Sequence, residues 1–129
     1  MARLVDIVID CERPSRLARF WAAALDDYDV AAYDAEELER LRSIGIEDPM
    51  DDPTVLVETT SSVPRLWFQK VPEPKRVKNR VHLDLCADDV GSELSRLVSL
   101  GAVVADGQPN PELVVLLDPE GNEFCLLRP

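Results

Sequence analysis

Val81 to Gly101 reads VHLDLCADDVGSELSRLVSLG, and two different periods meet inside it. Val81, Leu83 and Leu85 alternate with His82, Asp84 and Cys86, which is the two-residue period of a half-buried strand. Leu94, Leu97 and Val98 then recur at helical spacing, and Gly101 marks a helix end. A strand that feeds a helix is expected here.

The N-terminus carries the same pattern. From Leu4 to Cys11, Val5, Ile7 and Ile9 share one face while Asp6, Val8 and Asp10 share the other. Pro14, a residue tolerated in a first helical turn, opens a segment in which Leu17, Phe20, Trp21, Ala24 and Leu25 recur at helical spacing. Setting Asp6 against His82, an offset of 82 − 6 = 76, places Leu85 on Ile9. It also brings Leu94 and Leu97 within one residue of Leu17 and Phe20. The pattern implies an internal duplication.

Short extended runs follow each helix. They are Thr54–Glu58 and Arg65–Val71 in the first half, then Val103–Ala105, Leu113–Leu117 and Glu123–Leu127 in the second. Asp118, Pro119 and Gly121 occupy the first, second and fourth places of a type I turn, which predicts a hairpin between the last two runs. Asp34 to Gly45 adds an amphipathic helix through Leu38, Leu41 and Ile44. Val71 to Arg80, with two prolines and clustered cations, reads as an extended connection.

The 129 residues carry 14 Lys+Arg against 25 Asp+Glu, a net charge of −11. That balance argues against nonspecific binding of nucleic acid or anionic membranes, both of which are held by cations. The longest apolar run, Phe20–Leu25, is far short of the roughly 20 residues that span a bilayer. Asp6, Asp10 and Glu12 interrupt the one stretch that could form a secretory signal, so a cytoplasmic location is expected. Cys11, Cys86 and Cys125 form no CxxC and are expected as reduced, buried residues. No GxSxG, GxxxxGK[ST] or GxGxxG is present to support hydrolase, nucleotidase or dinucleotide chemistry.

The repeated unit, HLDL at the head of its second copy, and DPEGNEF near the C-terminus together resemble the vicinal oxygen chelate superfamily of glyoxalases, bleomycin-resistance proteins and dioxygenases. LWFQKVPEPKRVKNRVHLDL, residues 66–85, is similar to its glyoxalase-like domain subgroup. The resemblance implies an α+β fold of two βαβββ modules, a curved mixed sheet with helices outside and a small-molecule cavity inside. It covers one domain, 1–129, with module one at 1–72, a linker at 73–79 and module two at 80–129. A homodimer is implied as well.

Metal-dependent members of that superfamily bind a divalent ion at positions that fall here on Asp6, Gln69, His82 and Cys125. The chain has no Glu at these positions to serve as a proton-moving base. Cys125 stands in place of the final carboxylate and Asp6 in place of a His or Gln. Zinc accepts Asp, His and Cys, so zinc, nickel, iron or manganese forms one reading, and a cavity without a cofactor forms the other.

His82 is either a packed sheet histidine or a catalytic group. Asp84, two residues along the same face, would orient it or act as a base if buried in an apolar cavity. Trp67 and Gln69 share a face and would line a ligand site. Lys78 and Arg80, within the cation cluster from Lys70 to Arg80, would meet an anionic group of the ligand or pair with acidic neighbours. His82 and Cys125 also form a conceivable nucleophile pair. Two functions follow: a protein that binds a small organic molecule, with the acidic charge favouring cations, or a metal-dependent lyase or isomerase of the glyoxalase I kind.

Overall fold

The duplicated pattern folds twice into one motif. The computed structural model describes residues 1–129 as two units, Met1–Pro74 and Lys75–Pro129. The first contains β1 (Asp6–Cys11), α1 (Pro14–Ala24), β2 (Tyr28–Val30), α2 (Ala35–Ser43), a single 3₁₀ turn (Pro49–Asp51), β3 (Thr54–Thr59) and β4 (Arg65–Lys70). The second contains β5 (Leu83–Cys86), α3 (Val90–Leu100), β6 (Val103–Val104), β7 (Leu113–Leu117) and β8 (Glu123–Leu127). Each unit forms its own four-stranded mixed sheet, ordered β1-β4-β3-β2 and β5-β8-β7-β6. In both, the first and last strands pair in parallel and the other neighbours run antiparallel. The helices keep the expected spacing, since Pro14 to Val90 and Ala24 to Leu100 are each 76 residues apart (90 − 14 and 100 − 24).

In the first unit, alternation decides which sheet face meets the helix. Val55 and Val57 of β3 and Leu66 and Phe68 of β4 are buried, together with Leu17, Ala18, Phe20, Trp21 and Ala24 of α1, which packs on both strands. Phe20 and Trp21 meet edge to face with ring centroids 5.3 Å apart. Arg13 supplies no side-chain cap to α1, which starts on Pro14 and depends on this packing. The other sheet face carries Asp6, Val8, Thr54, Leu56, Arg65, Trp67 and Gln69, and so is left for chemistry.

The remaining helices show explicit end signals. The Asp34 carboxylate accepts from the Glu37 amide at 2.9 Å to start α2, and the Asp89 carboxylate accepts from the Ser92 amide at 3.0 Å to start α3. Acidic Glu36 and Glu37 in the first turn of α2 and basic Arg40 and Arg42 in its last complement the helix dipole.

The expected hairpin joins β7 to β8. The Gly121 amide donates to the Asp118 carbonyl at 2.9 Å, and Gly121 adopts φ +86°, a conformation that costs a residue with a Cβ. The buried Asp118 carboxylate accepts from the amides of Glu120 and Asn122 and from Asn122 Nδ2. The segment before β5 is clamped to β8 in turn. Lys75 Nζ lies 3.0 Å from Glu123 Oε1, the Asn79 amide donates to Glu123 Oε2 at 2.9 Å, and Lys75 also donates to the Val77 carbonyl.

Three features differ from the expectations. β2 and the 3₁₀ turn are each three residues long, too short for a period to register. Strand pairing begins at Leu83, and Val81 is 73% exposed, so His82 precedes the strand. Cys11 and Cys125 are buried, whereas Cys86 is exposed. No helix is long and apolar enough to cross a membrane.

Replacing Asp118 with Ala leaves the turn amides without their buried acceptor and is expected to destabilise the protein by about 1–3 kcal/mol, measured as a lower urea midpoint. Burial pushes Glu123 up, but the Asn79 amide, its own amide and Lys75 outweigh this and pull it from the ordinary 4.5 to about 2. A carboxyl lowered on folding stabilises fully above 4.5, and the contribution is lost as pH falls towards about 2. Glu123→Gln should therefore lower the urea midpoint near neutral pH, with the gap to wild type closing as acid is added.

Candidate functional site

On the open face of the first sheet, Asp6 and Gln69 lie far apart. Asp6 is opposite Arg65 and Gln69 is opposite Asp10, four residues on, which corresponds to about 13 Å along the strands. Both Asp6 oxygens are occupied by the Arg65 guanidinium, at 2.8 and 2.9 Å. Those hydrogen bonds hold the Asp6 carboxyl below its usual range, against a smaller effect of burial, and the Trp67 indole adds a further hydrogen bond. The first sheet therefore does not gather Asp6 and Gln69 around one ion. Gln69 is exposed.

The same face carries a pocket of about 390 Å³. Its walls include Trp67, Leu56 and Tyr33, and its carboxylates are those of Asp34, Glu36, Glu37 and Asp52. Asp52 is 2% exposed yet satisfied: its Oδ2 accepts from the Tyr33 hydroxyl at 2.8 Å and its Oδ1 from the Thr54 amide at 2.9 Å. Burial, reinforced by Asp52, pushes the Tyr33 phenol well above its ordinary value, so it remains a hydrogen-bond donor. Arg40 reaches Glu37 at 2.7 Å and Asp52 at 3.7 Å, which offsets part of the negative charge. Trp67 was legible as a ligand-lining residue. Tyr33 and Asp52 were not, and the only local signal is the acidic, proline-punctuated run DPMDDP at residues 48–53.

In the second unit, the parallel register sets Asp84 opposite Cys125. His82 Nδ1 donates to Asp84 Oδ1 at 3.1 Å, and one donor atom from each of His82, Asp84 and Cys125 lies within 4.8 Å of the others. Cys125 is buried, while the side chains of His82 and Asp84 are 45% and 52% exposed. Burial pushes the Cys125 thiol up, as do the charge and hydrogen bond of Asp84, and the charge of Lys78 acts the other way. A thiol so biased towards its neutral form is a poor nucleophile, which weighs against the His82–Cys125 nucleophile pair. The exposure of Asp84 removes the condition under which burial would make it a base, though its orienting contact with His82 is present. Lys78 and Arg80 are exposed, and it is Lys75 that meets an acidic neighbour, Glu123.

The chemistry of the donor set fits a divalent ion. Asp84 as carboxylate and Cys125 as thiolate would neutralise two positive charges, and His82 would add a neutral nitrogen. Such an ion would supply Lewis-acid polarisation of an oxygen when bound.

No curated protein sequence matches the chain. Solved structures share its fold. A glyoxalase/bleomycin resistance protein/dioxygenase family enzyme from Burkholderia phytofirmans is 16% identical, with 98% of each chain covered and a TM-score of 0.65. Glyoxalase I of Leishmania major, described as trypanothione-dependent, is 16% identical over 99% of this chain and 87% of its own, with a TM-score of 0.60. A mutant fosfomycin resistance protein from Listeria monocytogenes, complexed with Mn(II) and a dihydroxypropylphosphonic acid, is 10% identical over 100% and 94%, with a TM-score of 0.67. These similarities show the paired βαβββ fold of the vicinal oxygen chelate superfamily. The sequence model of the glyoxalase-like domain matches residues 6–127, nearly the whole chain, and on that match the protein belongs to the glyoxalase-like domain family.

Proposed function

We propose that the first unit binds a small organic molecule against Trp67 and that this molecule carries positive charge. The composition of the 390 Å³ pocket carries the reading: an indole and a phenol beside four carboxylates. Aromatic faces attract cations, and like-signed carboxylates around a concave wall raise the local concentration of a cationic ligand. Leu56 and the indole supply apolar area for the uncharged part of the molecule. The pair of Tyr33 and Asp52 keeps the wall in shape, because neither group must find a new partner when water leaves. Proteins of this fold include enzymes and resistance proteins named for small organic substrates, which supports the ligand class.

Benzyltrimethylammonium is a suitable probe and benzoate its charge-reversed control. The chain has two tryptophans, and Trp21 is buried, so a ligand at the pocket should act on the emission of Trp67. Titration with the cation is expected to change the fluorescence saturably, with added salt weakening the binding and Trp67→Ala abolishing it. An equal response to benzoate, or a calorimetric titration of the cation that Trp67→Ala leaves unchanged, would overturn the reading.

A further inference from the structure

We infer that Arg40 sets the charge of the molecule that the Trp67 pocket accepts: by holding Glu37 and Asp52 it leaves a place for one cationic group, and its loss opens a place for a second. The inference rests on the reading of that pocket as a cation site and names the residue that limits it.

The local sequence positions Arg40 for this task. Glu37 and Arg40 stand three residues apart on α2, and residues at that spacing share a helix face. Arg40 Nε and one of its terminal nitrogens both reach Glu37 Oε1, at 2.8 and 2.7 Å. The same terminal nitrogen lies 3.7 Å from Asp52 Oδ2. One guanidinium thus bridges two pocket carboxylates from different segments, Glu37 on α2 and Asp52 in the connection before β3. A guanidinium keeps its charge at any physiological pH, so the bridge does not titrate away. Arg40 touches residues that line the pocket without lining it itself, and so acts through them as a positioning residue.

The partners of the four pocket carboxylates decide how much charge is left to be met. Asp34 accepts from the Glu37 amide at 2.9 Å and sits at the positive end of α2. Glu37 is taken by Arg40. Buried Asp52 accepts from the Tyr33 hydroxyl and the Thr54 amide and has the Arg40 guanidinium beside it. Glu36, exposed in the first turn of α2, is the one whose side chain makes no hydrogen bond or ion pair. An incoming molecule therefore meets one unpaired carboxylate and the aromatic wall of Trp67 and Tyr33, a setting for a single cation. A second cationic group would reach Glu37 only against the like charge of Arg40.

The test uses the full chain and two probes titrated by calorimetry: benzyltrimethylammonium and its 4-aminomethyl derivative, which carries a second positive charge at neutral pH. The ratio of their affinities is the readout, since a merely structural lesion weakens both probes together. Arg40 is 46% exposed, so its replacement leaves the core untouched. Arg40→Gln is expected to raise the preference for the doubly charged probe by about three- to fivefold, the range set by freeing one carboxylate of an exposed ion pair. Arg40→Lys, which keeps the charge, should retain the wild-type ratio, and Glu37→Gln added to Arg40→Gln should cancel the gain. A folded Arg40→Gln variant with the wild-type ratio overturns the inference. So does an Arg40→Lys variant that matches Arg40→Gln, or a gain that survives in the double variant. Each of those results leaves the cation pocket standing as long as the benzyl probe still binds in a Trp67-dependent way. Failure of both probes to bind either the wild-type chain or Arg40→Gln overturns the pocket reading and this inference together.

Discussion

The parallel pairing of the first strand with the last is the constraint on which each unit depends. β1 bonds to β4 and β5 to β8, so residues from opposite ends of a module become direct neighbours at a fixed register. A parallel partner cannot be reached by a tight turn. The intervening helix and hairpin strands are therefore the connection that the pairing requires, and α1 covers one face of the first sheet on the way. The other face, left uncovered by α1, carries Asp6 and Arg65, whose side chains pair across the two strands.

What each copy does with that frame depends on which pairs the register brings together. In the first unit Val8 is opposite Trp67, and the neighbouring pair Asp6 and Arg65 closes on itself. The carboxylate is thereby neutralised locally and the indole lines the pocket. In the second unit the register-equivalent pair is Asp84 and Cys125, while Glu123 takes the place of Arg65. Glu123 cannot neutralise His82 in the way that Arg65 neutralises Asp6, because Lys75 and Asn79 already hold it. His82 turns to Asp84 instead.

The legible parts of this arrangement are those with a period. The strand and helix at each module's start, the 76-residue offset and the turn at Asp118 all follow from alternation, helical spacing or turn chemistry. β2 carries too few residues for any period, and the 3₁₀ turn at Pro49 is held by an Asp48 side-chain cap, which spacing does not disclose. His82 was read as a strand residue because Val81 continues the alternation, but Val81 finds nothing to pack on and pairing starts two residues later. The site followed the same rule. Trp67, Asp84 and Cys125 are strand residues whose face can be read. Tyr33 and Asp52 lie in connections, where only the folded chain brings a phenol 2.8 Å from a buried carboxylate.

Duplication explains how one topology carries two different sets of outward side chains. A copied frame preserves backbone register, since the hydrogen-bond ladder and the helix length must match for the module to close. Outward side chains carry no such requirement and can diverge freely. Module one has used that freedom for an aromatic and acidic pocket, extended by α2, an element with no counterpart in module two. Module two is shorter and has placed a nitrogen, an oxygen and a sulfur donor around one register pair. Each arrangement is made of side chains from its own copy.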